Sequence, residues 1–401
     1  MSYKLVLQKC KYGHFNWKNR YLCTNTLPEH SSVGPKIIIR MKRHSFISVF
    51  SAAAVLIAAI VLISSCNSRN SYITITGFAQ GGTYSVKMNL RDVSVKPEAI
   101  RDSIDAILVN IDNSLSGHNK KSLLSRFNAG EAIRPDSLFL DIYSHARHIY
   151  DMTGGAVDVA SAPLFDLWGF GFTEGEMPSD SNVAEVKAAC GLERMTEDIR
   201  AVIDEDGKID GLAMLSNTAE EGIPARPQLN YNAIAQGYSC DVVARYLYSI
   251  GVKDMLVDIG EIFCDGVNPS GQPWTLGIDR PVDGNQELGA DIQGIFRAPE
   301  GPHGIVTSGN YRKFHIRDGR KYAHTIDPRT GYPVEHNLLS ATIVAPDAMM
   351  ADAYATYCMV IGLEESVAFL ESRPDLEGCL IYDSPDGFKT WCSSNFILET
   401  L

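Results

Sequence analysis

The chain has 401 residues, 45% of them hydrophobic and 21% charged, a globular composition that excludes a disordered protein. Its formal net charge of −12 removes the phosphate attraction behind non-specific nucleic-acid binding, so nucleic acid is excluded as a partner.

Residues 1–40 are rich in Lys and Arg and show no hydrophobic period, and they read as an upstream extension ahead of the natural start. Met41-Lys42-Arg43 then precede an apolar run from Phe46 to Ile63, broken only by Ser48 and Ser51. A basic start, an apolar core and small residues at its end describe a secretory signal, here residues 41–65. The ending Ile63-Ser64-Ser65-Cys66 resembles a bacterial lipobox. Residues 66–71 are then a lipidated Cys66, with palmitate among its acyl chains, and a polar tether. An uncleaved transmembrane anchor is the alternative, because the run is close to the length that spans a bilayer. The expected location is a bacterial membrane, anchored by lipid, with the body facing the periplasm. Of the nine cysteines, six lie beyond Cys66 and none forms a C-x-x-C pair, which argues against a zinc site. An oxidising compartment allows disulfides among them, but the sequence does not pair them. Cys240 and Cys358 sit in apolar helical patterns and read as buried thiols.

The body, residues 72–401, reads as one domain. Tyr72–Asn89 alternates around Gly81-Gly82 and predicts two strands. Pro97 opens a helix with Ile100, Ile104, Ile107, Leu108 and Ile111 on one face. Asp136 caps a second helix bearing Phe139, Ile142, Tyr143, Ala146 and Ile149, which Gly154-Gly155 ends. A third helix starts near Asp180. Residues 204–228 and 283–301 read as surface excursions, the first a loop or a hairpin. Ala235–Ile250 is a helix, and strands at Met255–Ile259 and Trp274–Ile278 are joined through a turn at Asn268-Pro269-Ser270-Gly271. Short strands follow at Lys313–Arg317 and Ser340–Val344, then helices at Ala348–Gly362 and Leu363–Ser372 and a strand at Leu380–Tyr382. Strands grouped in hairpins, with helices between the groups, predict an α+β fold, a single bilobed domain with antiparallel sheets flanked by helices.

Three segments carry candidate chemistry. Asp352 and Thr356 are four apart on a predicted helix, so a carboxylate and a hydroxyl share one face and suit a hard cation such as Mg2+. Two side chains do not fill an octahedron, and carbonyls, waters or substrate phosphates must supply the rest. His324 precedes Asp327-Pro328 and Gly331, which predict a tight turn, and a histidine held there can act as a base. Thr307-Ser308-Gly309 reads as a loop offering N–H groups and hydroxyls to phosphate. Each has a plain structural reading when taken alone. Trp168 and Phe170 read first as packing residues, and Asp327 as ordering its own turn. Asp158 is equally a cap or a ligand contact.

Taken together, T-S-G-x-Y from Thr307, H-x-I-D-P-x-T-G-x-P from His324 and A-D-A-x-A-T from Ala351 resemble the signature of the ApbE family, the FAD:protein FMN transferases. Gly81-Gly82-Thr83-Tyr84, Ser122–Asn128, Thr153–Asp158 through Leu167–Gly171, Asn230–Tyr238 and Asp258–Glu261 are similar to further blocks of that family, so the likeness spans nearly all of residues 72–401. It implies Mg2+ held by Asp352, Thr356 and the carbonyl of Ala233. It implies FAD as substrate, lying against Gly81, His118, Ala156, Val157, Asp158, Asn230, Gln236 and Ile326. His324 would take the proton of an acceptor threonine, whose oxygen would attack the FMN-side phosphorus and release AMP. The acceptors implied are flavoproteins, membrane redox subunits above all. The same site with water as nucleophile would be an FAD pyrophosphatase, and without a base it would be a flavin-binding lipoprotein. The pattern is broken at Asn230, where Asp is usual, at Gln236 for Lys, Gly81 for Met, His118 for an aromatic and Asn232 for Gly. Losing an anion at Asn230 and a cation at Gln236 compensate in local charge, and both bear on nucleotide affinity.

Overall fold

The computed structural model describes residues 71–401 except 132, 172–176, 196–198, 204–208, 215–226, 283–284, 286–288, 312–313, 318–319 and 401. The expected extension, signal segment and Cys66 lie outside the described residues. Among the described residues no helix is long and apolar enough to cross a membrane.

The frame is an eight-stranded antiparallel sheet. Its strands lie in the order Tyr72–Ala79, Gly82–Asn89, Met255–Asp258, Ile262–Asp265, His303–Gly309, Leu338–Ala345, Glu377–Tyr382 and Lys389–Cys392. The first two form the expected hairpin, Tyr72 opposite Asn89 and Ala79 opposite Gly82. Gln80 and Gly81 turn it, both with positive φ (52° and 81°), the conformation a two-residue hairpin loop needs.

Alternation along the central strands builds two layers. Val306, Ile343 and Leu380 pack under the helices Ala348–Ile361 and Leu363–Glu371. Their neighbours Ile305, Val344 and Ile381 face the other way, onto Trp274, Leu276 and Phe296. The last three belong to or adjoin a separate three-stranded sheet of Leu398–Thr400, Ile292–Arg297 and Thr275–Asp279. Beside this sandwich lies a helical cluster. Helix Pro97–Leu115 starts on its proline and buries Ile100, Ile104, Leu108 and Ile111 at spacings of three to four residues. Helix Ser137–Met152 is capped by the Asp136 carboxylate, which accepts from the Phe139 N–H at 2.8 Å, and it buries all five expected residues. Helices Ala235–Ser249 and Ala348–Ile361 contribute to both the sandwich and the helical cluster and join them.

The structure corrects several expectations. Thr307-Ser308-Gly309 is not a loop: it ends the strand His303–Gly309, paired residue for residue with Thr342, Ala341 and Ser340. Its buried residues Gly304, Ile305 and Val306 are consecutive and Thr307, Ser308 and Gly309 are small or polar, so no alternation marks the strand. Met255–Asp258 is followed by an unanticipated partner strand, Ile262–Asp265, and the strand after the Asn268–Gly271 turn belongs to the smaller sheet. Residues 283–301 contain a strand of that sheet, Ile292–Arg297. Two six-residue helices, Leu123–Asn128 and Ala162–Leu167, are too short to carry a period. The 204–228 excursion includes one arm of a hairpin, Ile199–Ile203 with Ile209–Met214. Cys240 and Cys358 are fully buried, as expected.

Candidate active site

The helix that carries Asp352 and Thr356 is fixed at its N-terminus from three sides. Asp347 caps it, its carboxylate accepting from the Met350 N–H at 2.8 Å. Asp241, from the middle of helix Ala235–Ser249, accepts from the Ala348 and Met349 N–H groups at 2.9 Å each. Between them these carboxylates satisfy three of the N–H groups a helix start leaves unpaired. Glycines allow the close approach: a Cβ on Gly237 would lie 2.3 Å from the Ala348 carbonyl oxygen, and one on Gly304 would lie 2.2 Å from the Ala348 Cα. Burial pushes the Asp241 carboxyl up to about 7, against the opposing pull of the two N–H groups.

One turn into that helix, Asp352 is buried, 5% exposed, and accepts from the Gly237 N–H at 3.3 Å. Burial drives its carboxyl well above the usual carboxylate range, and the nearby Asp241 charge adds to the rise. A carboxylate so placed is costly to ionise without a counter-cation. The donors expected from the resemblance, the Asp352 carboxylate, the Thr356 hydroxyl and the Ala233 carbonyl, are all oxygen, a chemistry that suits a hard cation with waters or phosphate oxygens filling its shell. Among the described residues no group of three or more His, Cys, Asp or Glu could hold a metal, and so a transition-metal cage is not what this donor set builds.

Thr356 and Ala233 line a cavity of about 250 Å³. His324 and Ile326 form another part of its wall, Ala156, Val157 and Asp158 a third, and Asn230 a fourth. The structure thus converges residues up to 204 positions apart in the chain, from Ala156 to Val360. Asp352 is not among the lining residues. Gly81, His118 and Gln236 are not among them either. Gly81 is at the hairpin tip, tied to helix Ala235–Ser249 by a hydrogen bond from the Gln80 side chain to Ser239. Gln236 lies over Gly260, where a Cβ would meet its amide. His118 is exposed in the loop after helix Pro97–Leu115.

The His324 wall rests on a short ladder. Ile326 and Asp327 pair with Pro333 and Tyr332. The Asp327 carbonyl accepts from Thr330 and Gly331, and its carboxylate binds Arg329, so Asp327 orders the turn as expected. The Thr325 hydroxyl donates to the Asn310 side chain at 2.6 Å. Trp168 is buried and its indole N–H donates to the Gly331 carbonyl at 2.8 Å, fastening the ladder to the segment after helix Ala162–Leu167. Phe170 lines the cavity and meets the His324 ring edge to face, centroids 6.5 Å apart. Of the two aromatics, then, Trp168 is a packing residue and Phe170 reaches the site.

Asp158 caps its own turn, as one of its two expected readings has it. Its carboxylate accepts from the Ala160 N–H at 2.8 Å and the Leu192 N–H at 3.2 Å, and it also lines the cavity. Burial raises its carboxyl to about 6. Asn230 keeps the acceptor that an Asp would offer and uses it locally, taking the Asn232 N–H at 2.9 Å. The strand-like stretch before it is held by Asn128, whose side chain exchanges two 2.8 Å hydrogen bonds with the Leu229 backbone. Phe165, Ser161, Pro328 and Val360 also line the cavity, and sequence reasoning did not single them out. Asp241 was missed as well. Its signal was present: an Asp within an otherwise apolar helical stretch is buried only with partners.

The ApbE family model matches residues 80–380. An FAD:protein FMN transferase from Vibrio cholerae is 31% identical over 348 residues, covering 85% of this chain and 97% of the relative. The one from Escherichia coli K12 is 31% identical over 362 residues, covering 86% and 96%. The solved structure of the flavin transferase ApbE from Vibrio cholerae superposes with a TM-score of 0.66, covering 81% of this chain and 99% of that one. With the order of the motif blocks and a fold that brings them to one cavity, these matches show that the chain is a member of the ApbE family.

Proposed function

We propose that this protein is an FAD:protein FMN transferase that moves FMN from FAD to a threonine hydroxyl of an acceptor protein and releases AMP. The observation that carries the reading is that His324 opens on the same cavity as Thr356 and Ala233, with the buried Asp352 carboxyl one helical turn before Thr356. A base and an oxygen donor set on one cavity suit phosphoryl transfer, which needs placement and charge neutralisation more than covalent chemistry.

Mg2+, held by Asp352, Thr356 and the Ala233 carbonyl, would supply positive charge to the pyrophosphate of FAD. The residues of the chain do the rest. His324 accepts the proton of the acceptor hydroxyl, which frees an oxygen lone pair for attack on the FMN-side phosphorus. The bond from that phosphorus to the AMP oxygen breaks, and AMP carries away the electron pair. Ile326, Val157 and Ala156 give the cavity apolar walls that exclude water from the reacting phosphorus. Asn230 and Asp158 offer polar atoms for orientation. The lipid anchor at Cys66 belongs to this proposal and rests on the residue pattern alone. It would hold the domain beside membrane redox acceptors on the periplasmic side.

The test is incubation of the purified chain with FAD, Mg2+ and a candidate acceptor, followed by mass spectrometry of the acceptor threonine. Covalent FMN with one AMP per transfer is expected. Rapid FAD hydrolysis that leaves every acceptor unmodified would replace the transferase with a pyrophosphatase using water as nucleophile.

A further inference from the structure

Cys379 and Cys392 lie directly opposite each other on neighbouring antiparallel strands, Glu377–Tyr382 and Lys389–Cys392. Their sulfurs are 3.2 Å apart. The second strand is the edge of the eight-stranded sheet. The adjacent pair settles the geometry: the Ser393 N–H donates to the Gly378 carbonyl at 2.9 Å, so Gly378 and Ser393 are a hydrogen-bonded pair. Cys379 and Cys392 are therefore a non-hydrogen-bonded pair, the kind in which Cα atoms are ~4.5 Å apart and side chains meet most closely. That separation falls inside the window a disulfide bridges without backbone movement, ~4.4–6.8 Å.

The other cysteines of the body make different contacts. Cys240 donates to the Glu261 carbonyl, and Cys190 lies against the Lys187 carbonyl. Cys358 is buried in the core on the helix Ala348–Ile361, and Cys264 in the cluster that also holds Cys379. Cys379 is buried, while Cys392 is half-buried and can reach an external disulfide.

We infer that Cys379 and Cys392 form a cross-strand disulfide that staples the edge strand to the sheet. Two S–H bonds are lost and one S–S bond forms. The two electrons and two protons pass to an external disulfide, such as that of a thiol–disulfide oxidoreductase, which is reduced to its dithiol. The pair also explains how an edge strand of four residues, carrying the exposed Lys389 and Thr390, stays in register. The S–H of Cys392 beside Cys379 is held below its ordinary range by the hydrogen bond between the two sulfurs, which favours the thiolate that starts the exchange. The inference does not rest on the proposed transferase activity.

The experiment uses the full chain prepared without reductant, equilibrated with oxidised glutathione, then denatured and alkylated before and after dithiothreitol. Two cysteines are expected to resist alkylation until reduced, and proteolysis without reductant should yield one linked peptide joining residue 379 to residue 392. Reduction should lower the Tm by about 5 °C, a shift absent in Cys392→Ser. Full alkylation of every cysteine after oxidation, or a linkage between other cysteines, overturns the inference. So does a reduction-induced shift of equal size in Cys392→Ser.

Discussion

Two parts of the candidate site are built by opposite means. Asp352 and Thr356 sit on a helix whose start is locked between Asp241, Asp347 and the close backbone approaches at Gly237 and Gly304. His324 and Ile326 sit on a two-residue ladder, held by the Trp168 indole, the Thr325–Asn310 hydrogen bond and the Asp327–Arg329 pair. The proposed cation side is thus locked by a helix start, and the proposed base side by a short ladder whose Ile326 and Asp327 are buried while His324 is half-buried. A cation needs fixed donors before substrate arrives, whereas a base that must meet a protein acceptor has to lie where that acceptor can reach.

The comparison breaks most sharply at Asp352. Asp352→Ala removes the sole carboxylate of the donor set and should cut Mg2+-dependent turnover on the order of 10³-fold or more, as loss of several kcal/mol of charge stabilisation implies. Near-normal rates for that variant at low Mg2+ would refute the cation assignment. His324→Ala should lower kcat by ~10²–10⁴-fold while the Kd for FAD stays nearly unchanged, since a base acts in the transition state. If titration with FAD shows binding lost together with turnover, His324 is a binding residue instead.

Asp241→Ala should reveal how far the cation side depends on its clamp. It leaves two buried N–H groups without acceptors and should cost about 2–4 kcal/mol in urea unfolding. A cost under ~0.5 kcal/mol would mean that water replaces the clamp. Asp158 offers a pH readout. Its folded-state carboxyl titrates near 6, above the 3.8 of the unfolded chain. Below that window both states are protonated. As pH rises from about 4 to 6 the unfolded state releases its proton first, so stability falls by up to roughly 3 kcal/mol and then levels off. Asp158→Asn should flatten this part of the stability profile measured between pH 4 and 7; an unaltered slope would place the titration elsewhere. Trp168→Phe tests the base side most gently. It keeps a ring but loses the donor to the Gly331 carbonyl, and should cost about 1 kcal/mol locally, lowering kcat less than ~10-fold with Tm nearly unchanged. An equal loss of activity and global stability would show that Trp168 serves the core and not the ladder.

Much of this was legible in the chain. Helices Pro97–Leu115 and Ser137–Met152 were readable because their apolar residues recur every three to four positions and their starts carry Pro97 and Asp136. The Gly81 hairpin and the Asp327–Gly331 turn were readable from local backbone demands that few residues meet. The motif blocks announced the family, and the comparisons bear it out. The strand His303–Gly309 was not readable, because its buried residues Gly304, Ile305 and Val306 run consecutively and its small, polar end Thr307-Ser308-Gly309 then looks like a loop.

Local periodicity, caps and turns are written in short stretches of sequence, because the forces behind them act over one or two turns of chain. Distance relations are not. Only the packed structure decides that Thr356 shares a cavity with His324 and Ala156, and that Asp241 serves the helix of Asp352. The same holds for Cys379, which faces Cys392, since sheet register is set by burial on both faces and not by either strand alone.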